Sequence, residues 1–242
     1  MSAESDRLTP PIVSFIIPAW RDGENLSSLL PTLTRLSRRL EIIVVDVSLD
    51  GQPPCCANDS DGAIQFATVP RPNRGEQMNH GASLASGDVL IFQHADTEFS
   101  EAHLRAIEEA LADPLIVGGA FHRKFDERHP RLRWLERIAR WRARHGGTLF
   151  GDQSIFVRRN VFADLGGFAP IPLMEDVEFS KRLRRAGKIA LLDPPVRSSA
   201  RHHERNGAWR TSIQNGLFLL FFKAGVSPGT LHRWYYGADE AA

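Results

Sequence analysis

Two apolar runs a helix's length apart constrain this chain more than any other feature: IVSFIIP at Ile12–Pro18 and EIIVVD at Glu41–Asp46. Neither run alternates with polar residues, so each reads as a strand buried on both faces, the kind found where helices cover both sides of a sheet. Between them Leu26, Leu29, Leu30, Leu33, Leu36 and Leu40 recur at helical spacing. Strand, helix and strand make a βαβ unit, and a mostly parallel sheet is the expected architecture.

The rhythm continues. Ile64–Val69 is a third strand, and Glu76–Ser86 a helix of small residues ending at Gly87. IFQHADTEF, Ile91–Phe99, is a fourth strand that stops at polar residues, and Ser100 is placed to cap a helix running to about Ala112. LIVGGAFHRKF and QSIFVRR read as further strands, Glu175–Ala186 as a helix, Lys188–Asp193 as a last strand and Gly207–Lys223 as a terminal helix. No linker or repeat interrupts the pattern. The expectation is one domain over 1–242, with a nucleotide-binding half at about 12–112, an acceptor half at about 113–200 and a C-terminal helical extension at about 201–242.

Composition narrows the function classes. With 42% hydrophobic residues and a net charge of +1 from 30 basic and 29 acidic side chains, the chain can bury a core and carries no global pull toward nucleic acid. The start, MSAESDRLTP, lacks a signal-peptide pattern, and the apolar run Leu217–Phe222 falls far short of the roughly 20 residues that span a bilayer, so a cytoplasmic location is expected. Cys55 and Cys56 are adjacent, which gives neither disulfide nor zinc spacing.

In an open α/β sheet, ligands bind at the carboxyl ends of the strands. Here those ends carry Pro18-Ala19-Trp20-Arg21-Asp22, then Asp46 and Asp50, then His94-Ala95-Asp96. One acid at a strand end is an ordinary loop residue, but three successive ends with acids point to one polar crevice. Neither a Gly-x-Gly-x-x-Gly nor a P-loop motif is present, so a divalent cation with oxygen ligands is the natural partner for a phosphate.

Taken in order, SFIIPAWRDGENL, EIIVVDVSLDG, NRGEQMNHGASLASGDVLIFQHADTEF, GDQSIFVRR with LGGF, and PLMEDVEFSKRLRRAG resemble the family 2 glycosyltransferases of GT-A fold. GEQMNHGA, HADT and PIPLMEDVEF more narrowly resemble a bacterial subgroup associated with radical-SAM and selenium-related proteins. The resemblance implies a mostly parallel, Rossmann-like sheet flanked by helices. It also implies a hexosyltransferase-like, inverting transfer of a sugar from a nucleoside-diphosphate donor, with Mg²⁺ or Mn²⁺.

Carried over by position, it places Pro18, Ala19, Asp22, Asp46, Asp50, Arg74 and Asp96 on the donor side, and Asp152 and Gln153 toward the acceptor. The family's Asp-x-Asp metal motif falls on His94-Ala95-Asp96, so Asp96 is the expected ligand, with His94 and His203 as further candidates. Arg21 and Val47 stand where the family often has Asn and Gly. The catalytic base falls on Asp176, beside Glu175, although acids at a helix start also serve simply to complement the helix dipole.

The segment Arg123–Arg144 holds nine basic and three acidic residues, with Leu132, Leu135 and Ile138 on one side. Either it packs on the domain with a solvated basic face, or it lies on an anionic membrane surface. Together with Phe218–Phe222, it makes a lipid-linked acceptor at the inner face of a membrane a candidate. Two rivals share the crevice. One is a non-catalytic nucleotide-sugar-binding protein, and the other is a nucleotidyltransferase, for which PAWRDGEN lacks the usual glycine-rich basic loop.

Overall fold

A computed structural model describes residues 13–36, 40–47, 64–125, 147–198 and 208–236. Its centre is an eight-stranded sheet in the order β3-β2-β1-β4-β7-β6-β8-β5. β1 (Val13–Ala19) pairs in parallel with β2 (Leu40–Val47) and β4 (Val89–Phe92), and β2 pairs in parallel with β3 (Ile64–Val69). This half is the doubly wound arrangement expected from the buried runs. Every residue of β1 is buried.

Successive β1 side chains feed opposite faces, as strand geometry demands. Phe15 and Ile17 join a cluster with Leu26, Leu29, Leu30 and Leu33 of α1 (Gly23–Thr34) and with Leu104 and Ile107 of α3 (Glu101–Leu111). Ile16 joins the other cluster, with Met78 of α2 (Arg74–Leu84), Phe92, Phe162 and Phe168. Each such side chain, fully buried, contributes roughly 1.5–3 kcal/mol of transfer free energy. The α1 leucine stripe is therefore the chief reason that helix docks. α2 lies so close to the sheet that a Cβ on Gly81 would sit 2.5 Å from Ile16 Cγ2. That closeness explains the glycine at this position.

The second half departs from a simple alternation. β7 (Ile155–Arg158) runs antiparallel to β4 and to β6 (Ile116–Phe125), while β8 (Lys188–Ser198) pairs in parallel with β6 and antiparallel with the two-residue β5 (Thr97–Glu98). β8 runs past the expected end at Asp193, with a register shift opposite Phe121–Arg123. α4 (Arg159–Asp164) and α5 (Glu175–Ala186) cover the Phe92 face through Phe162, Phe179 and Leu183.

The C-terminal part is two helices, α6 (Ala208–Lys223) and α7 (Pro228–Tyr236), where the sequence indicated one. The apolar run in α6 is divided: Phe218 and Leu219 are buried, while Leu217, Leu220 and Phe221 are exposed. Among the described residues no helix is long and apolar enough to cross a membrane. Asp50, Cys55, Cys56, His203 and nearly all of the basic segment after Phe125 lie outside the described residues.

Candidate functional site

The carboxyl ends of β1 and β2 lie side by side, with Ala19 in register with Asp46. Asp22 turns its carboxylate back on the loop, accepting from Trp20 N at 3.2 Å and Asn25 Nδ2 at 3.1 Å. Asp46 accepts from the Val47 N–H at 2.9 Å. Burial pushes the Asp46 carboxyl up, the Val47 bond draws it down, and the charge of Asp22 raises it again. The two acids therefore lie within electrostatic reach of each other at neighbouring strand ends.

A buried amide holds those ends together. Gln77, on the sheet-facing side of α2, donates through Nε2 to Ala19 O at 2.8 Å and to Val45 O at 2.9 Å. One side chain thereby bridges the backbones of β1 and β2. Sequence reasoning missed Gln77, whose one signal was a long amide one turn before Gly81 on the same helix.

A second centre forms where β4 ends. α2 opens with Arg74 and α5 opens with Glu175 and Asp176, and one loop ties the two helix starts. Asn79 clamps Phe168, its Oδ1 accepting from Phe168 N and its Nδ2 donating to Phe168 O, both at 2.8 Å. Arg182 of α5 donates to Leu165 O and Gly167 O of the same loop. Arg74 consequently meets Glu175, Nη1 to Oε1, at 4.0 Å.

Asp176 is gripped by backbone, with Oδ2 accepting from Gly151 N at 2.8 Å and Oδ1 from Val177 N at 2.7 Å. His94 flanks the same glycine: a Cβ on Gly151 would lie 2.7 Å from His94 Nε2 and 3.7 Å from Asp176 Oδ2. Only glycine fits between the imidazole and the carboxylate. His94 Nε2 is shut from solvent and has no hydrogen-bond partner among the described residues.

Electrostatics set this centre apart. Glu175 is only 5% exposed, and its carboxyl is pushed up to about 7 by burial and then by the charge of Asp176, against the pull of Arg74. Burial also raises Asp176, against its bonds to Gly151 and Val177 and the charge of Arg74. Burial, with the charges of Arg74 and Arg123, holds His94 well below the usual histidine range and keeps it neutral. Burial alone would lower Arg74, but Glu175, Tyr236, Asp176 and Asp96 together raise it. Asp152 pairs with Arg123, while Gln153 is buried and its Oε1 accepts from Phe150 N, holding the turn Gly151–Gln153.

Among the described residues, the non-glycine residues with left-handed φ are Arg21 (56°), Ser154 (49°) and Met174 (68°). They sit after β1, after the Gly151 turn and just before α5. Such conformations cost of order 1 kcal/mol or more each and gather where a site imposes them.

A donor set for a cation is thin. Among the described residues no three His, Cys, Asp or Glu side chains come together to hold one. Asp96 offers a carboxylate at the end of β4, whereas His94 turns Nε2 toward Gly151 and Asp176 rather than toward solvent.

The chain is 32% identical over 108 residues to a 4,4'-diaponeurosporenoate glycosyltransferase of Staphylococcus haemolyticus, a match covering 41% of this chain and 28% of that relative. The fold is similar to that of a mannosyltransferase from Pyrobaculum calidifontis solved with GDP-Man and Mn²⁺, with a TM-score of 0.63, 19% identity and 97% and 74% of the two chains covered. It is also similar to that of S. aureus TarS solved with UDP, with a TM-score of 0.59, 15% identity and 77% and 60% covered. The mixed sheet with helices on both faces is the GT-A arrangement of these neighbours. Residues 14–166, more than half of the chain, match the family model described as Glycosyl transferase family 2 and include the strand ends described above; the chain belongs to that family.

Proposed function

We propose that this chain transfers a sugar, with inversion, from a nucleoside-diphosphate donor to an acceptor hydroxyl. The observation that carries the reading is the Glu175–Asp176 pair, Glu175 buried and Asp176 half-buried, set at one edge of the sheet against Arg74, His94 and the Gly151 turn. A pair of raised carboxyls beside one another is suited to proton transfer near neutral pH.

In this reading Asp176 takes the proton from the acceptor hydroxyl as that oxygen bonds to the anomeric carbon. The bond from that carbon to the donor phosphate oxygen breaks, and its electron pair leaves on the nucleoside diphosphate. Asp22 and Asp46 receive the nucleoside, with Pro18 and Ala19 as the crevice floor. Asp152 faces the acceptor. The bound GDP-Man and UDP of the structural neighbours support a nucleotide-linked donor.

A bound Mg²⁺ or Mn²⁺ would offset the diphosphate's charge, and Asp96 with the diphosphate oxygens suits such a hard cation. The Mn²⁺ of the mannosyltransferase neighbour favours it. The halves about 12–112 and 113–200 act as one unit with the C-terminal extension, and GEQMNHGA, HADT and PLMEDVEF support membership of the selenium-associated bacterial subgroup. The exposed Leu217, Leu220, Phe221 and Trp234 of α6 and α7 favour an acceptor with an apolar tail, met at a membrane face.

Thermal unfolding against UDP, GDP, UDP-GlcNAc and GDP-Man, each with and without Mn²⁺, tests the donor class, because a ligand of the native state alone raises Tm. At least one should raise it and release nucleoside diphosphate in the presence of acceptor. Binding without any release over hours would make the chain a nucleotide-sugar-binding protein.

A further inference from the structure

An amide closes the apolar run of β4. The four residues Val89–Phe92 are all buried, and the next, Gln93, has no exposed surface either. We propose that Gln93 is a positioning residue for the transfer: it ties the loop that carries Asp96 to the turn that grips Asp176, and so holds the two carboxylates in one fixed arrangement. The proposal rests on the glycosyl-transfer reading and adds a residue that acts through others.

Bonds run in two directions from this one amide. Gln93 Nε2 donates to Thr97 O at 2.6 Å, and Gln93 Oε1 accepts from Ser154 Oγ at 2.6 Å. A carbonyl can only accept, so the amide cannot be turned round and the Ser154 hydroxyl must be the donor. Thr97 and Ser154 are themselves buried. On one side, Thr97 Oγ1 reaches Asp96 Oδ1 at 3.3 Å, and Thr97 N donates to His94 O at 3.2 Å, which closes the loop that carries Asp96. On the other side, Ser154 directly follows the turn Gly151–Gln153, whose Gly151 N is the donor to Asp176 Oδ2.

Packing alone would not call for an amide here. Enclosing one costs free energy unless its polar atoms are bonded, and an aliphatic side chain would fill the space without that cost. What the amide adds is direction: two bonds of fixed polarity, one of them joining segments 61 residues apart. Ser154 shows the constraint, since it keeps a left-handed φ of 49° that a residue with a Cβ rarely adopts, while its hydroxyl is committed to Gln93. A misplacement of about 1 Å in such a frame is enough to cost about 100-fold in rate.

Gln93→Leu, Ser154→Ala and the double variant, each in the whole chain, test this by two readouts. One is nucleoside diphosphate release from saturating UDP-GlcNAc or GDP-Man with Mn²⁺ present, divided by the folded fraction. The other is hydrogen exchange over residues 94–97 and 150–154. Each single variant should lower kcat per folded molecule, Gln93→Leu by roughly 10- to 100-fold. The double variant should be no slower than Gln93→Leu, because its second change removes a bond already lost. Ser154→Ala should speed exchange over 94–97, across the amide from the altered residue. Unchanged kcat per folded molecule in both single variants, effects that multiply in the double variant, or exchange over 94–97 untouched by Ser154→Ala overturns the proposal and leaves the transferase reading standing. Where Gln93→Leu does not fold, Ser154→Ala decides alone by the same two readouts. Release from neither donor by wild type overturns the transferase reading and this proposal with it.

Discussion

Two pairs of carboxylates reach the same edge of the sheet, and the fold treats them differently. Asp22 and Asp46 are partly open, in separate loops, each occupied by local hydrogen bonds from Trp20, Asn25 or Val47. Glu175 and Asp176 are neighbours at the head of one helix, Glu175 buried and Asp176 half-buried; both carboxyls are raised, as that of Asp46 is, but Glu175 is pushed up to about 7. Partial exposure suits a group that accepts hydrogen bonds from an arriving ligand. Burial beside a like charge suits a group that must exchange a proton. The difference lies in desolvation, not in residue type.

The largest expected effect tests the Glu175–Asp176 pair. Asp176→Asn keeps an acceptor oxygen for one backbone N–H but cannot take a proton, so turnover should fall roughly 100-fold or more while donor affinity barely moves. Glu175→Gln should cost less. The measurement is the rate of nucleoside diphosphate release beside donor affinity for each variant. If Asp176→Asn loses affinity or stability as much as rate, the bond to Gly151 is what matters and the pair is a helix cap.

The next effect is on stability. Glu175 sits at about 7 in the folded chain and near 4.3 when unfolded. The native state therefore holds a proton that the unfolded chain releases between about pH 4.5 and 7. Stability from this group is fully present below that window and is lost as pH rises through it, by about 1–3 kcal/mol, and Asp176 adds with the same sign. Urea unfolding at steps from pH 5 to pH 8 should show this decline, reduced in Glu175→Gln. Parallel profiles for the two proteins would make Glu175 an ordinary carboxyl and erase the contrast with the open pair.

How much of this was legible depends on the range of the forces involved. β1, β2 and the leucine stripe of α1 were readable because burial on both faces writes itself into consecutive residues. The start of α5 at Glu175 was readable too, from an acid-rich first turn. Gln77 and Asn79 were not, since each acts on backbone far away in sequence: Gln77 on Ala19 and Val45, Asn79 on Phe168. The last strand was read as Lys188–Asp193, yet β8 continues through Pro194 and Pro195 to Ser198 with a register shift against β6, where missing N–H donors are tolerated. The raised carboxyl of Glu175 depends on enclosure by three other segments, which no local pattern encodes.

The smallest effect belongs to the open pair, and it decides whether the contrast is one of roles. Asp46→Asn retains an oxygen for the Val47 N–H and removes the repulsion from Asp22, so the fold should be unharmed or slightly steadier. What is lost is a charged acceptor for the ligand. Donor affinity should therefore fall roughly 3- to 10-fold, a hydrogen bond's worth at a partly solvated site. The rate at saturating donor should not change, because a group that binds ground state and transition state alike alters KM and leaves kcat. Steady-state kinetics over a wide donor range separates the two. A fall in kcat comparable to that of Asp176→Asn would put Asp46 in the chemical step, and exposure would then no longer distinguish recognition from catalysis along this edge of the sheet.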